Sequence, residues 1–299
     1  MASFFVLFGM IAFGVSNVIW KPLLPKMTVN TMLFRRSCWS AGLILVLFLA
    51  GQWICLRPEW YLKLTESENY YPIHESLLRS VGSILISLLG LYLFIHSLKH
   101  QPAGISGMIV CISTLLSAFL GWSLLHEPFH WELIFSLSIS LLGVLMMDRT
   151  GFRTLSLNKG IAWALLGACC WGIANLGFKK MIPETGVLQF SLMQESVVVL
   201  VSGIGLLGFG RQEPEPPDST GIQVHLLIFV ISLLTILGVL FCNLGMSRLP
   251  VSRFALLVLA QPLATFVIAD LWLKEKTTWS QKFGDFLILA GIYTGTAFA

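Results

Sequence analysis

Charged residues are scarce in this 299-residue chain: Asp, Glu, Lys and Arg make up 11% of it, against 56% hydrophobic residues. That balance excludes an ordinary soluble domain, in which about a quarter of positions are charged. Its net charge of +4 is scattered over short connections rather than gathered into a patch, which excludes nucleic acid as a partner. The six cysteines (Cys38, Cys55, Cys111, Cys169, Cys170 and Cys242) lie in or at the ends of apolar segments, without the spacing of a metal site or a disulfide framework. They read as small apolar packing residues. The first twenty residues carry no Lys or Arg, so the basic start of a secretory signal peptide is missing and this segment is expected to be retained as the first helix. Also missing are the sets that mark an intramembrane enzyme: a Ser nucleophile in a Gly-rich turn, paired His ligands, clustered Asp residues. No catalytic residue, metal or cofactor is expected.

What the chain has instead is length in its apolar runs. Ser83 to Phe94, Val197 to Phe209 and Leu226 to Cys242 contain no Asp, Glu, Lys or Arg, and with their flanks each is long enough to span a bilayer. The solvent is therefore mostly lipid. Taking about twenty residues per crossing predicts ten helices. They fall near 3–24, 31–54, 75–98, 103–125, 130–147, 159–182, 187–209, 223–247, 251–273 and 279–298. Proline punctuates the connections at Pro25, Pro102, Pro128, Pro183 and Pro250. Two loops are longer. The stretch from Arg57 to Glu75 mixes charges with Trp60, Tyr61, Tyr70 and Tyr71, a composition suited to the headgroup level. The stretch from Arg211 to Gly221 is polar and proline-rich, and reads as a flexible tether.

The chain also repeats itself. At a spacing of 158, Gly14, Asn17, Lys21 and Pro25 match Gly172, Asn175, Lys179 and Pro183; at 148, Pro102, Glu127, Trp131 and Gly143 match Pro250, Glu275, Trp279 and Gly291. Residues 1–150 and 151–299 then hold five helices each, and an odd number makes the second copy enter the membrane from the opposite side. The expected fold is an all-α polytopic membrane protein of ten transmembrane helices, arranged as two inverted five-helix repeats.

The stretches AFGVSNVIWKPLLP and CWGIANLGFKKMIP, with LLHEPFHWELIFSLSISLLGVLM and LWLKEKTTWSQKFGDFLILAGIYTG, resemble the two EamA-type repeats of the drug/metabolite transporter superfamily. The resemblance covers nearly the whole chain. It implies ten helices with the substrate site in a central cavity between the halves. Its most specific element is the short Glu-containing turn at His126-Glu127-Pro128 and Lys274-Glu275-Lys276. The family's Arg near the start of the second helix has candidates at Arg35 and Arg36, and the repeat counterpart of Arg36 is Gln194, which departs from a symmetric cation.

Polar residues inside apolar helices are costly unless they face a bundle interior or a wet cavity, so they are the site candidates. Glu195 lies about nine residues into its helix, roughly 13 Å deep at 1.5 Å per residue, too far for a short side chain to reach the headgroups. It is protonated, paired with a cation or in touch with water, and its role is that of a proton-coupling acid or of the structural partner of a buried cation. Arg35, Arg36, Asn17, Asn175, Lys21, Lys179 and Trp171 complete the set of candidates for substrate binding or coupling. Trp20 and Trp39 are weaker cavity candidates, as are His96, Asn243, Gln261 and Asp270, most of which lie near helix ends. Glu127 and Glu275 read as turn and cap residues. Small-residue rows at Ser113, Ser117 and Gly121, at Ala164, Ala168 and Gly172, and at Gly291 and Gly295 read as packing or sliding seams.

The reading is a secondary transporter that moves a small-molecule substrate, an amino acid or similar small organic solute, across a lipid bilayer by alternating access, with export as its direction and a proton as the coupling ion. The alternative is a flippase for a lipid-linked or amphipathic head group. Sidedness has two opposed indications. Internal termini place seven Lys and Arg inside (Arg57, Lys63, Arg79, Lys179, Lys180, Arg248, Arg253) and twelve outside, which by the positive-inside rule favours external termini. The resemblance implies cytoplasmic termini in the plasma (inner) membrane, and cations that face the cavity do not count as loop charge.

Overall fold

A computed structural model describes residues 1–53, 73–100, 109, 112–128, 131–146, 159–209, 221–273 and 278–297. Every element assigned among them is helical. The helices are α1 (Ala2–Trp20, extended by a 3-10 turn Lys21–Leu23), α2 (Val29–Trp53), α3 (Ile73–His100), α4 (Ile112–Leu125), α5 (Trp131–Met146) and α6 (Lys159–Thr185). They continue with α7 (Val187–Phe209), α8 (Ile222–Arg248), α9 (Val251–Val258), α10 (Ala260–Leu273) and α11 (Trp279–Ala297). Seven segments are long and apolar enough to cross a membrane: 2–23, 29–50, 78–100, 159–185, 187–207, 222–248 and the α9–α10 segment 251–272. Two shorter apolar helices cover 112–125 and 131–143.

Three expectations need correction. The ninth helix is not continuous but breaks at Leu259, whose N–H bonds back three residues to Leu256 O at 3.2 Å. Pro262 is the cause: it has no N–H for the carbonyl of Val258, and its ring crowds that carbonyl. Pro183 does not end the sixth helix but lies inside α6, which runs on to Thr185. Gly186 stops it, with φ at 81°, a left-handed conformation that a side chain would resist, while its N–H closes the last turn on Ile182 O at 2.8 Å. The third helix starts at Ile73, so the end of the predicted 57–75 loop is helical. The rest of that loop, the 211–220 stretch and Glu275 lie outside the described residues, as do 103–108 of the fourth predicted helix.

Helices of the two halves interleave. The most extensive packing pairs α3 with α6, α5 with α11, α1 with α8, α2 with α7, α1 with α10, α4 with α6 and α4 with α9. Each pair joins the first half to the second, and exchanging the halves turns α3–α6 into α8–α1 and α4–α6 into α10–α1. Close contacts obey the same exchange. A Cβ on Gly167 would stand 3.0 Å from Gly90 O, and one on Gly9 would stand 3.0 Å from Gly238 O. Gly9 and Gly167 are 158 apart, and Gly90 and Gly238 are 148 apart. Lipid offers no hydrophobic drive between helices, so this close approach at glycine supplies the van der Waals contact that holds them. Along α5 and α11 a hydroxyl ladder adds to it, with Ser136 Oγ 3.0 Å from Thr294 Oγ1 and Ser140 Oγ donating to Ile288 O at 3.5 Å.

Candidate functional site

A cavity of about 220 Å³ lies where the interleaved helices meet. Its walls come from both halves at equivalent positions: Phe13 with Trp171, Asn17 with Asn175, Ser87 with Thr235, and Ser113 with Gln261. Most of the lining is apolar. Asn17 reaches it because α1 turns its buried face, through Met10, Phe13 and Trp20, toward α8 and α10. Its amide makes no hydrogen bond among the described residues. Asn175 differs, donating Nδ2 to Ser117 Oγ at 3.0 Å. Trp171 is held by a bond from its indole N–H to Ser87 O at 3.1 Å, and its ring packs on Phe94 at 5.5 Å.

Arg36 on α2 and Glu195 on α7 supply the charge. Arg36 Nη2 lies 3.0 Å from Glu195 Oε2, and the two side chains are only 7% and 2% exposed. Arg36 Nη2 also donates to Ser37 Oγ. The pair is incompletely satisfied: Arg36 Nε has no hydrogen-bond partner among the described residues, and the contact to Glu195 Oε2 is an ion pair without hydrogen-bond alignment. Both residues line the cavity, so they present a donor and an acceptor to whatever enters it. Burial makes the pair interdependent, since removing one member strands the other's charge in an apolar surround.

Five of the eight sequence candidates thus come together at the cavity: Asn17, Arg36, Trp171, Asn175 and Glu195. Arg35 is half-buried on α2 outside the lining, and Lys21 is exposed at the end of α1. Lys179 has a different place. Its Nζ donates to Met246 O at 3.0 Å, Leu249 O at 2.8 Å and Ser247 O at 3.5 Å, carbonyls at the C-terminus of α8 that the helix itself leaves without donors. Of the residues ranked lower in the sequence, Trp20, Asn243 and Gln261 also line the cavity. Asn243 is 4% exposed and donates to Ser191 Oγ at 2.9 Å, so it sits in the interior rather than at a solvated helix end. Thr235 was missed, although its position 148 residues after Ser87 is the signal that finds it.

Next to the carbonyls held by Lys179, the N-terminus of α9 is held by Glu127. Its Oε1 accepts from Val251 N at 2.8 Å and its Oε2 from Ser252 N at 3.3 Å. The turn at Leu249 and Pro250 therefore has a cation on its carbonyl side and an anion on its amide side, each matching the local helix dipole. Glu127 is aimed there by a strained turn, with His126 at φ 54° and the Glu127 N–H bonded to Gly121 O at 3.3 Å.

Comparison with known proteins agrees with this architecture. The "Uncharacterized transporter YyaM" of Bacillus subtilis (strain 168) is 20% identical over 237 residues, 75% of this chain and 76% of that protein. A crystal structure 16% identical in sequence superimposes with a TM-score of 0.72, covering 99% of this chain and 98% of the other, which establishes the shared fold. Residues 1–148 and 158–295 both match one family, so nearly the whole length is accounted for, and the chain belongs to the EamA-like transporter family.

Proposed function

We propose that this integral membrane protein is a secondary transporter that exports a small organic solute, an amino acid or a compound of that size, by alternating access. In this reading the helices cross the bilayer ten times, with α9 and α10 forming one crossing. Residues 1–150 and 151–299 are inverted repeats related by an axis in the membrane plane, the plan of many secondary transporters. The termini are cytoplasmic and the membrane is the plasma (inner) membrane. The symmetric helix pairing and the two repeat spacings support this arrangement.

The observation that carries the functional reading is the cavity between the halves, lined by repeat-equivalent side chains and by the incompletely satisfied Arg36–Glu195 pair. Protonation of Glu195 releases Arg36 to an anionic group of the solute, which couples the two through one cation. Nothing observed favours the alternative of a head-group flippase.

The test is accumulation of a defined mixture of anionic, cationic and zwitterionic metabolites by vesicles containing the purified protein, with and without a pH gradient. Accumulation of one class above protein-free vesicles supports transport; none of them accumulating sinks it. Gradient-driven accumulation that survives unchanged in Glu195→Gln removes Glu195 from the coupling. A reporter fused after Ala299 and active only outside the cytoplasm reverses the orientation.

A further inference from the structure

We infer that Glu127 is a gating residue, the latch that ties the first half of the protein to the α8–α9 turn and holds one end of the cavity shut. The inference rests on the alternating-access reading and adds to it the contact that must break. Val251 and Ser252 belong to the second half, while Glu127 follows α4 of the first, so their hydrogen bonds tie the α4 end to the α8–α9 turn. Opening this end parts α4 from the α8–α9 turn, and these two bonds must break with it.

The side chains next to the latch form the end wall of the cavity. Phe254 stands one turn into α9 from Val251, Met246 one turn before Leu249 on α8, and Phe178 beside Lys179, whose ammonium grips Leu249 O. All three line the cavity and are buried, at 3%, 2% and 7% exposure. Phe178 in turn packs edge-on against the fully buried Phe190 at 5.1 Å. Because Lys179 fixes the turn to α6, the turn, Met246 and Phe254 form one unit on the far side of the contact from Glu127. Glu127 is then the charged tie across the contact, and its loss frees this end to open. Packing at the contact is tight enough to register the bond, since a Cβ on Gly121 would stand 3.1 Å from both Glu127 Oε2 and Val251 Cβ.

The test needs no knowledge of the solute, because Cys242 lines the cavity and is a natural reporter. With the other five cysteines changed to Ser, the full-length protein in sealed vesicles of each orientation is exposed to a membrane-impermeant methanethiosulfonate. Glu127→Ala, which removes both charge-assisted hydrogen bonds, is expected to label at least about tenfold faster from the face bearing the α8–α9 turn, the factor by which losing even one such bond biases a two-state equilibrium. Labelling from the opposite face does not rise.

Val251→Pro is the second variant, in case Glu127→Ala does not fold. It removes the better of the two donors at the first helical position, where proline suits the helix, and Pro250 already has the extended ψ of 148° that a following proline requires. It is expected to act in the same direction. Unchanged labelling in folded variants overturns the latch, and equal acceleration from both faces reduces Glu127 to a structural cap. A parent protein and variants that label from neither face overturn the alternating-access reading itself, and the latch with it. That result differs from a failed latch, in which the parent labels and the variants label no faster.

Discussion

Arg36 and Glu195 form an ion pair at 3.0 Å although they are not repeat equivalents: the counterpart of Arg36 is Gln194, and that of Glu195 is Ser37, each 158 residues away. The pair joins α2 to α7, two helices that exchange with each other when the halves are exchanged. One copy of this contact is therefore charged and its mirror is neutral. A scaffold whose helix pairing is symmetric thus carries a directional charge pair that has no charged repeat counterpart.

Glu195→Gln is expected to lower stability by about 3–5 kcal/mol, because the buried Arg36 guanidinium loses its counter-charge while the shape is kept. Arg36→Gln with Glu195→Gln should recover most of that loss, since no charge then remains buried. Thermal denaturation in detergent of both single variants and the double variant decides it. Additive losses in the double variant would show that the two residues do not act as a pair.

Asn17→Ala is expected to leave stability within about 0.5 kcal/mol of the parent, because its amide makes no hydrogen bond among the described residues that could be lost. Asn175→Ala loses its bond to Ser117 and is expected to cost about 1 kcal/mol. Both should slow transport in the vesicle assay. A stability loss for Asn17→Ala as large as that for Asn175→Ala would place the Asn17 amide in packing rather than at the cavity.

Lys179→Met is expected to destabilise by about 1–2 kcal/mol, because the C-terminal carbonyls of α8 lose their donor and the negative helix end loses a cation. The rate of Cys242 labelling at the face opposite the α8–α9 turn should not change. Parent-like stability in this variant would count against the clamp.

Glycine substitutions should divide by position. A Cβ at Gly143 would stand 2.5 Å from Gly284 O, and one at Gly291 would stand 2.6 Å from Ser136 O, both backbone atoms that cannot turn aside. Alanine at either is expected to cost about 1–3 kcal/mol by forcing α5 from α11. A methyl group at Gly42 or Gly82 would meet nothing within 4 Å, so alanine there should be neutral or improve the helices by up to about 1 kcal/mol. Equal losses at all four sites would exclude close packing as the reason for these glycines.

Hydropathy alone located most of the helices to within a few residues, because a lipid solvent leaves the chain few alternatives to helices. The errors occur where backbone chemistry overrides composition. Leu259 breaks an apolar run because of Pro262 three residues on, and Pro183 sits inside a helix because only one carbonyl near its end loses a donor. Window averages do not resolve either effect.

The repeat likewise singled out residues without saying what they do. Asn17 and Asn175 line the cavity as an equivalent pair, but Lys179, matched just as well, spends its charge on the end of α8. Glu195 was legible as an acid too deep to be solvated, because depth follows from position along one helix. Its partner was not, since Arg35 and Arg36 are adjacent in sequence and differ by about 100° around α2. By itself the sequence determined the solvent, the helices, the repeat and the depth of Glu195, all of which depend on local composition and spacing. Only the tertiary structure decided which arginine faces α7 and which helix end each lysine or glutamate caps, because those contacts join residues far apart in the chain and exist only once the helices pack.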